Sequence, residues 1–242
     1  MKIPIMLKLF KSWSLHILFP RACFCCGRDM ARKDANPLCP ECMADLKPID
    51  GLICKRCGQP LKDGGRYCYS CRKSRNFKCG FIRSGLKFTP SARALIHNFK
   101  YQGYINISKF FAPLMHKTFR NNPEFFEADF LVPVPIHKSK FKKRGFNQAA
   151  LLARDLSKLC GVPVLEALER KIKTKSQTSL GGKERLENVR RVFECANKAF
   201  VKNKAVILID DVCTTCATLE ECARVLKKSG AREVLAITAL KE

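Results

Sequence analysis

The sequence predicts an α/β fold, a mostly parallel sheet with helices on both faces, behind a small N-terminal domain built on cysteine. Three observations carry this expectation. Short apolar runs without polar alternation, such as V-I-L-I at Val206–Ile209, read as strands buried on both faces. Along the chain they alternate with segments of helical periodicity, the order that builds a parallel sheet under a helical cover. Ten of the fifteen cysteines precede Gly80, and eight of those stand in four C-x-x-C pairs.

With 242 residues, 46% of them hydrophobic, the chain can bury a full core and a second small one, which excludes wholesale disorder. The expected division is 1–20, an N-terminal amphipathic helix; 21–79, the cysteine domain; and 80–242, the α/β domain. In the first segment Lys8 and Lys11 interrupt the apolar run and no small-residue cleavage site follows, so it reads neither as a signal peptide nor as a span. No stable membrane insertion is expected, and the compartment is cytoplasmic.

The four pairs are Cys23/Cys26, Cys39/Cys42, Cys54/Cys57 and Cys68/Cys71. A two-residue spacer lets both sulfurs face one side of a tight turn, so each pair supplies half a tetrahedron. Gly27 and Gly58 follow directly, where such a turn favours a left-handed residue. Four halves make two closed, structural zinc sites, paired sequentially in the simplest arrangement and interleaved in the other. Disulfides are the competing reading, with iron–sulfur ligation behind it. Cys25 and Cys79 are surplus.

The formal net charge is +25. Up to residue 79 there are 16 Lys and Arg against 6 Asp and Glu, and beyond it 30 against 15, so both parts are basic. Two tetrathiolate sites at about −2 each bring the folded charge nearer +21. Such a balance points to an anionic partner.

After the cysteines, Phe81–Phe88 reads as a strand, Ser91–Phe99 as a helix, and Ile107–Phe119 as a longer helix carrying Pro113. His97 and His116 fit packed or half-exposed positions better than ligands. Phe130–Pro135 is a second buried strand. Residues 136–148 then place Lys138, Lys140, Lys142, Lys143 and Arg144 among Phe141 and Phe146, and read as a loop. Basic side chains interleaved with rings hold diphosphate or track a nucleic-acid backbone while the rings stack on bases; a solvated loop is the plain alternative. A helix over Asn147–Leu159 and a brief strand over Val162–Leu165 follow. Residues 170–193 begin polar and glycine-bearing, a basic lid, and end in a strand near Val192 and Phe193. Glu233–Leu240 is the last strand.

The chain is organised around Val206–Leu219. The strand stops at Asp210 and Asp211, a run of small residues from Cys213 to Thr218 follows, and a helix over Leu219–Ser229 closes at Gly230. Backbone N–H groups, hydroxyls and a helix N-terminus make an anion cradle. The two acids suit sugar hydroxyls or a magnesium ion. Together these describe a site for a ribose 5-phosphate.

Asp210-Asp211 followed by Thr214-Thr215-x-Ala217-Thr218 resembles the phosphoribosyl-diphosphate (PRPP) signature of type I phosphoribosyltransferases. The resemblance implies a phosphoribosyltransferase-like, Rossmann-like fold. Asp210 and Asp211 would meet the ribose hydroxyls, Cys213, Thr214, Thr215, Cys216, Ala217 and Thr218 would wrap the 5-phosphate, and Mg²⁺ would accompany PRPP. One position departs: Cys216 stands where the family usually has Gly. At positive φ a cysteine costs about 1–2 kcal/mol.

The order of motifs narrows the resemblance: paired zinc knuckles, K-Y-Q-G, P-V-P-I-H, R-G-F-N-Q, R-x₃-T-x₂-Q-x₂-L and the Asp-Asp signature. From about Leu18 onward the chain is similar to the ComF (ComFC-like) family, a double zinc ribbon ahead of a phosphoribosyltransferase-like domain. That family is associated with natural competence, the cytoplasmic handling of imported single-stranded DNA, and with a helicase-like ATPase partner. By position Lys100 and Tyr101 would lie over the site. Pro133 to His137, including Pro135, would form the diphosphate side, braced by Arg144, Asn147 and Gln148, and Arg170, Thr174, Gln177 and Arg185 would belong to the lid. An active PRPP-dependent transferase of nucleotide metabolism or salvage is the alternative. A third reading takes Cys213 and Cys216 as a redox pair, with a thiolate pKa lowered by the helix N-terminus.

Overall fold

The structure, a computed structural model, describes residues 21–31, 36–62, 64–74, 77–171 and 192–242. The expected N-terminal helix and the lid residues Thr174, Gln177 and Arg185 lie outside the described residues.

The knuckles come first. Strands β1 (Arg21–Ala22) and β2 (Asp29–Met30) form an antiparallel pair across the first turn. Short helices, Pro40–Ala44 and Tyr69–Lys73, start directly after Cys39 and Cys68. The α/β domain then supplies β3 (Ile82–Lys87), β4 (Phe130–Pro133), β5 (Leu168–Arg170), β6 (Phe193–Cys195), β7 (Ala205–Cys213) and β8 (Glu233–Lys241). The main sheet runs β3-β8-β7-β4 and is parallel throughout. β5 and β6 form a separate antiparallel pair.

β7 lies between β8 and β4, which explains its unbroken apolar run: both faces are covered. Val206 and Leu208 join one core cluster with Leu219, Cys222 and Leu226 of the helix Ala217–Lys228. Ile207 and Ile209 join the opposite cluster with Phe111 and Met115 of the helix Ile107–Arg120, and with Leu152 and Leu156 of the helix Gln148–Cys160. Alternate side chains of one strand thus bind two helical layers.

Local signals account for most ends. Thr89 caps the helix Pro90–Tyr101 by accepting from Ala92 N at 3.3 Å, and Ala92, Leu95, Ile96 and Phe99 give it one buried face. The helix Ile107–Arg120 continues through Pro113, which is exposed.

Three expectations need correction. The basic segment after β4 is a helix, Lys138–Arg144, capped by His137 and closed by Gly145 at φ 82°. Lys142, Lys143 and Arg144 sit in its last turn, where the dipole favours cations. The strand expected over Val162–Leu165 reduces to a bridge between Leu131 and Val164, because Pro163 has no N–H to donate. Arg170, expected to begin the mobile lid, instead ends the strand Leu168–Arg170, which pairs with Phe193–Cys195, Arg170 standing opposite Phe193.

Candidate functional site

β4 ends opposite Ile209 of β7, and the cleft of about 500 Å³ at the C-terminal end of these strands is where an open parallel sheet holds its ligands. Asp210 and Asp211 remain inside β7, so the pleat sends their side chains to opposite faces. Asp211 is buried and meets Lys100 Nζ at 2.9 Å, from the helix Pro90–Tyr101. Asp210 is partly exposed and accepts from Asp211 N at 2.9 Å. Burial, then the neighbouring Asp211 charge, pushes the Asp210 carboxyl up to about 7, against the pull of Lys100.

The threonine loop follows. The helix begins at Ala217, two residues before the expected Leu219, so Thr218 lies in its first turn. Cys216 is its N-cap at φ 63°, the conformation that glycine would adopt freely. Its sulfur is 2.9 Å from Cys213 Sγ. The Cys216 thiol is pushed up, chiefly by its hydrogen bond with Cys213, and not down as a helix N-terminus alone would dictate.

Five cations line the cleft: Arg93, Lys100, Lys140, Arg144 and Arg170. Lys140 is held below the usual lysine range by burial first, and then by Arg170, Arg144 and Lys100. Burial likewise lowers Arg170. Arg144 Nη1 donates to Gln148 Oε1 at 3.1 Å and lies over the Tyr101 ring, 5.1 Å from its centroid. Gln148 is 1% exposed, and its Nε2 has no partner among the described residues. A buried donor without a partner on the wall of a cationic cleft calls for an acceptor from a ligand.

Of the residues singled out in sequence, Lys100, Pro135, Arg144, Gln148, Arg170, Asp210, Asp211 and the whole stretch Cys213–Thr218 line this one cleft. His137 does not; its Nδ1 accepts from Ser139 N at 3.1 Å and caps the basic helix. Arg93, His97 and Glu242, given no role there, also line it, as does Lys140 of the basic segment. Helical spacing would have found the first two, since Arg93, His97 and Lys100 recur every three to four residues.

The cysteines gather as two clusters, Cys23, Cys26, Cys39 and Cys42, and Cys54, Cys57, Cys68 and Cys71, all sulfurs of each within 4.8 Å. The pairing is sequential. A tetrahedron with Zn–S bonds of about 2.3 Å has sulfur edges of about 3.8 Å. Cys26 to Cys39 at 3.7 Å and Cys57 to Cys68 at 3.6 Å match that edge. Four thiols without an open position fit structural zinc. Cys79, outside both clusters, is buried and donates to Phe81 O at 3.3 Å. No helix among the described residues is long and apolar enough to cross a membrane.

Residues 14–72 match the double zinc ribbon domain, and residues 141–242 the phosphoribosyl transferase domain. Competence protein F of Haemophilus influenzae is 30% identical over 204 residues, covering 82% of this chain and 88% of that protein. Competence protein ComFC of Bacillus subtilis is 31% identical over 204 residues, covering 82% and 81%. DNA utilization protein YhgH of Escherichia coli (strain K12) is 26% identical over 221 residues, covering 89% and 94%.

Proposed function

Since the chain belongs to the ComF family of competence proteins, with a double zinc ribbon and a phosphoribosyltransferase-like domain, we propose that its cleft binds PRPP or a nucleotide 5′-phosphate while the protein handles imported single-stranded DNA in the cytoplasm. The observation that carries this reading is the convergence of Lys100, Lys140, Arg144 and Arg170 on a cleft whose floor holds two carboxylates and a threonine loop. The cations repel one another until an anion arrives, and the unpartnered Gln148 Nε2 awaits an acceptor.

The division of labour follows from chemistry. Residues 213–218 take the 5-phosphate at a helix N-terminus. Lys140, Arg144 and Gln148 take a diphosphate on the β4 side. Asp210 and Asp211 take the ribose hydroxyls, with Lys100 released from Asp211 as they bind. The two carboxylates fit Mg²⁺, which would neutralise diphosphate charge. Outside the cleft, Phe141 is half exposed on a helix bearing Lys138, Lys142 and Lys143, a surface on which bases stack beside their phosphates. A helicase-like ATPase is the protein partner that this role implies.

Calorimetry with Mg²⁺ and PRPP tests the cleft. Binding should strengthen between pH 6 and 8, because Asp210 must lose its proton near 7 to meet a metal ion, and Asp210→Asn should flatten that rise. The absence of PRPP binding at any pH overturns the reading. Oligonucleotide affinity should fall steeply with salt. Active transfer has one observation in its favour: Phe88, Arg93, Ile96 and His97 wall the cleft where a base would sit. Diphosphate release from PRPP in the presence of nucleobases separates transfer from binding.

A further inference from the structure

Lys241 is the last residue of β8, beneath the threonine loop, and only 6% of it is exposed. Its Nζ donates to Cys213 O at 3.1 Å, to Thr214 O at 2.8 Å and to Glu242 O at 2.8 Å. An ammonium has three donors, and three main-chain oxygens take them. Glu242 N also donates to Cys213 O, at 3.0 Å, so the end of β8 grips the start of the loop twice.

The direction of that grip matters. In a trans peptide the C=O and N–H lie on opposite edges of one plane. Holding Cys213 O and Thr214 O toward Lys241 therefore turns the N–H groups of Thr214 and Thr215 away from it. Thr214 and Thr215 both line the cleft. A loop that binds phosphate through its amides needs this orientation fixed before the ligand arrives.

We infer that Lys241 is a positioning residue of the phosphate loop: it pins two loop carbonyls from below, presents the loop amides to the cleft and sets a fixed ammonium behind the 5-phosphate. This deepens the reading of the cleft as a sugar-phosphate site and rests on it. The diphosphate side, built from β4, the basic helix and Gln148, does not depend on Lys241.

That independence supplies the test. Binding of ribose 5-phosphate and of inorganic diphosphate is measured by calorimetry on the full chain, as wild type, Lys241→Met, Lys241→Gln and Lys241→Arg. Charge-assisted hydrogen bonds of this kind carry about tenfold in affinity or more. Lys241→Met should thus bind ribose 5-phosphate at least tenfold more weakly, with diphosphate binding unchanged and the ³¹P signal of bound sugar phosphate shifted. Lys241→Arg should restore sugar-phosphate binding. If Lys241→Met does not fold, Lys241→Gln keeps two donors without the charge and should show the same selective loss. Equal ribose 5-phosphate binding by all variants, or loss of both ligands together, overturns the inference and leaves the cleft reading standing. A wild type that binds no ribose 5-phosphate overturns that reading, and the inference with it.

Discussion

The first cysteine cluster packs beside the helix Pro90–Tyr101, whereas the second packs beneath the threonine loop. Cys23 and Cys39 join the core cluster of Leu95, Phe99 and Phe111. Asp45 accepts from Ser91 N at 3.0 Å, and Asn98 Nδ2 donates to Phe24 O at 3.3 Å. Cys54, Cys57 and Cys71 instead join the cluster of Leu208, Cys216 and Leu219. On the same side, Glu220 accepts from Lys78 N and Cys79 N. Two copies of one metal motif therefore serve different walls of a single cleft: one stands behind Lys100 and the other behind the loop that follows Asp211. The ribbon is part of the site's scaffold.

The largest expected effect separates the two clusters. Cys57→Ser and Cys26→Ser should each lower the zinc content by one ion per chain. Structural zinc is worth many kcal/mol to a small domain, so Cys57→Ser, whose thiol is buried against the loop, should cost about 4 kcal/mol or more and abolish ribose 5-phosphate binding. Cys26 is exposed and remote from the loop, so Cys26→Ser should keep that binding within about threefold. Metal analysis and calorimetry on both variants decide it; equal losses would break the comparison.

Next come the two glycines that follow the knuckles. Gly27 and Gly58 share a left-handed backbone, φ 73° and 69°. A Cβ on Gly27 meets nothing within 4 Å, but on Gly58 it falls 2.8 Å from Ile82 O, at the start of β3. Gly27→Ala should cost only the left-handed conformation, about 1 kcal/mol. Gly58→Ala must also displace β3 or the knuckle, and should cost about 2–4 kcal/mol, read from urea midpoints. A Gly58→Ala no worse than Gly27→Ala would mean that the second knuckle yields as easily as the first.

How much of this was readable in the chain depends on the range of each signal. The strand at Val206–Ile209, the carboxylate pair and the C-x-x-C spacings are local patterns, and each lies where local physics puts it. The helix Lys138–Arg144 was hidden because five cations leave Phe141 as its one large apolar side chain, too little for a periodicity. The shared cluster of Cys216 and Cys57, and the bonds of Lys241 to Cys213 and Thr214, join residues far apart in sequence. No spacing rule reaches that far. The family resemblance marked Cys216 as a departure from glycine, and the backbone at that position is left-handed, the conformation that glycine adopts freely.

The smallest expected effect concerns two arginines, one beside each cluster. Arg28, beside the first cluster, pairs with Glu41, and both side chains are more than 60% exposed. Such a pair is screened by solvent and restrains two long side chains for little return, so Arg28→Ala should leave the melting temperature unchanged. Arg56, beside the second cluster, donates to Cys71 O at 2.8 Å and Ser74 O at 2.9 Å, with Tyr67 5.0 Å and Phe77 5.7 Å from its guanidinium carbon. Its own carbonyl accepts from Ile82 N at 2.7 Å, so its backbone joins the knuckle to β3. Arg56→Ala leaves two carbonyls without a donor and two rings without their cation, a loss of about 2 kcal/mol, or a fall of several degrees in melting temperature for a chain of this size. Arg56→Lys keeps the charge but not the fork, and should recover less than half of that loss. If Arg28→Ala and Arg56→Ala melted together with the parent, the Arg56 fork and its two rings would add nothing to the stability of the second knuckle.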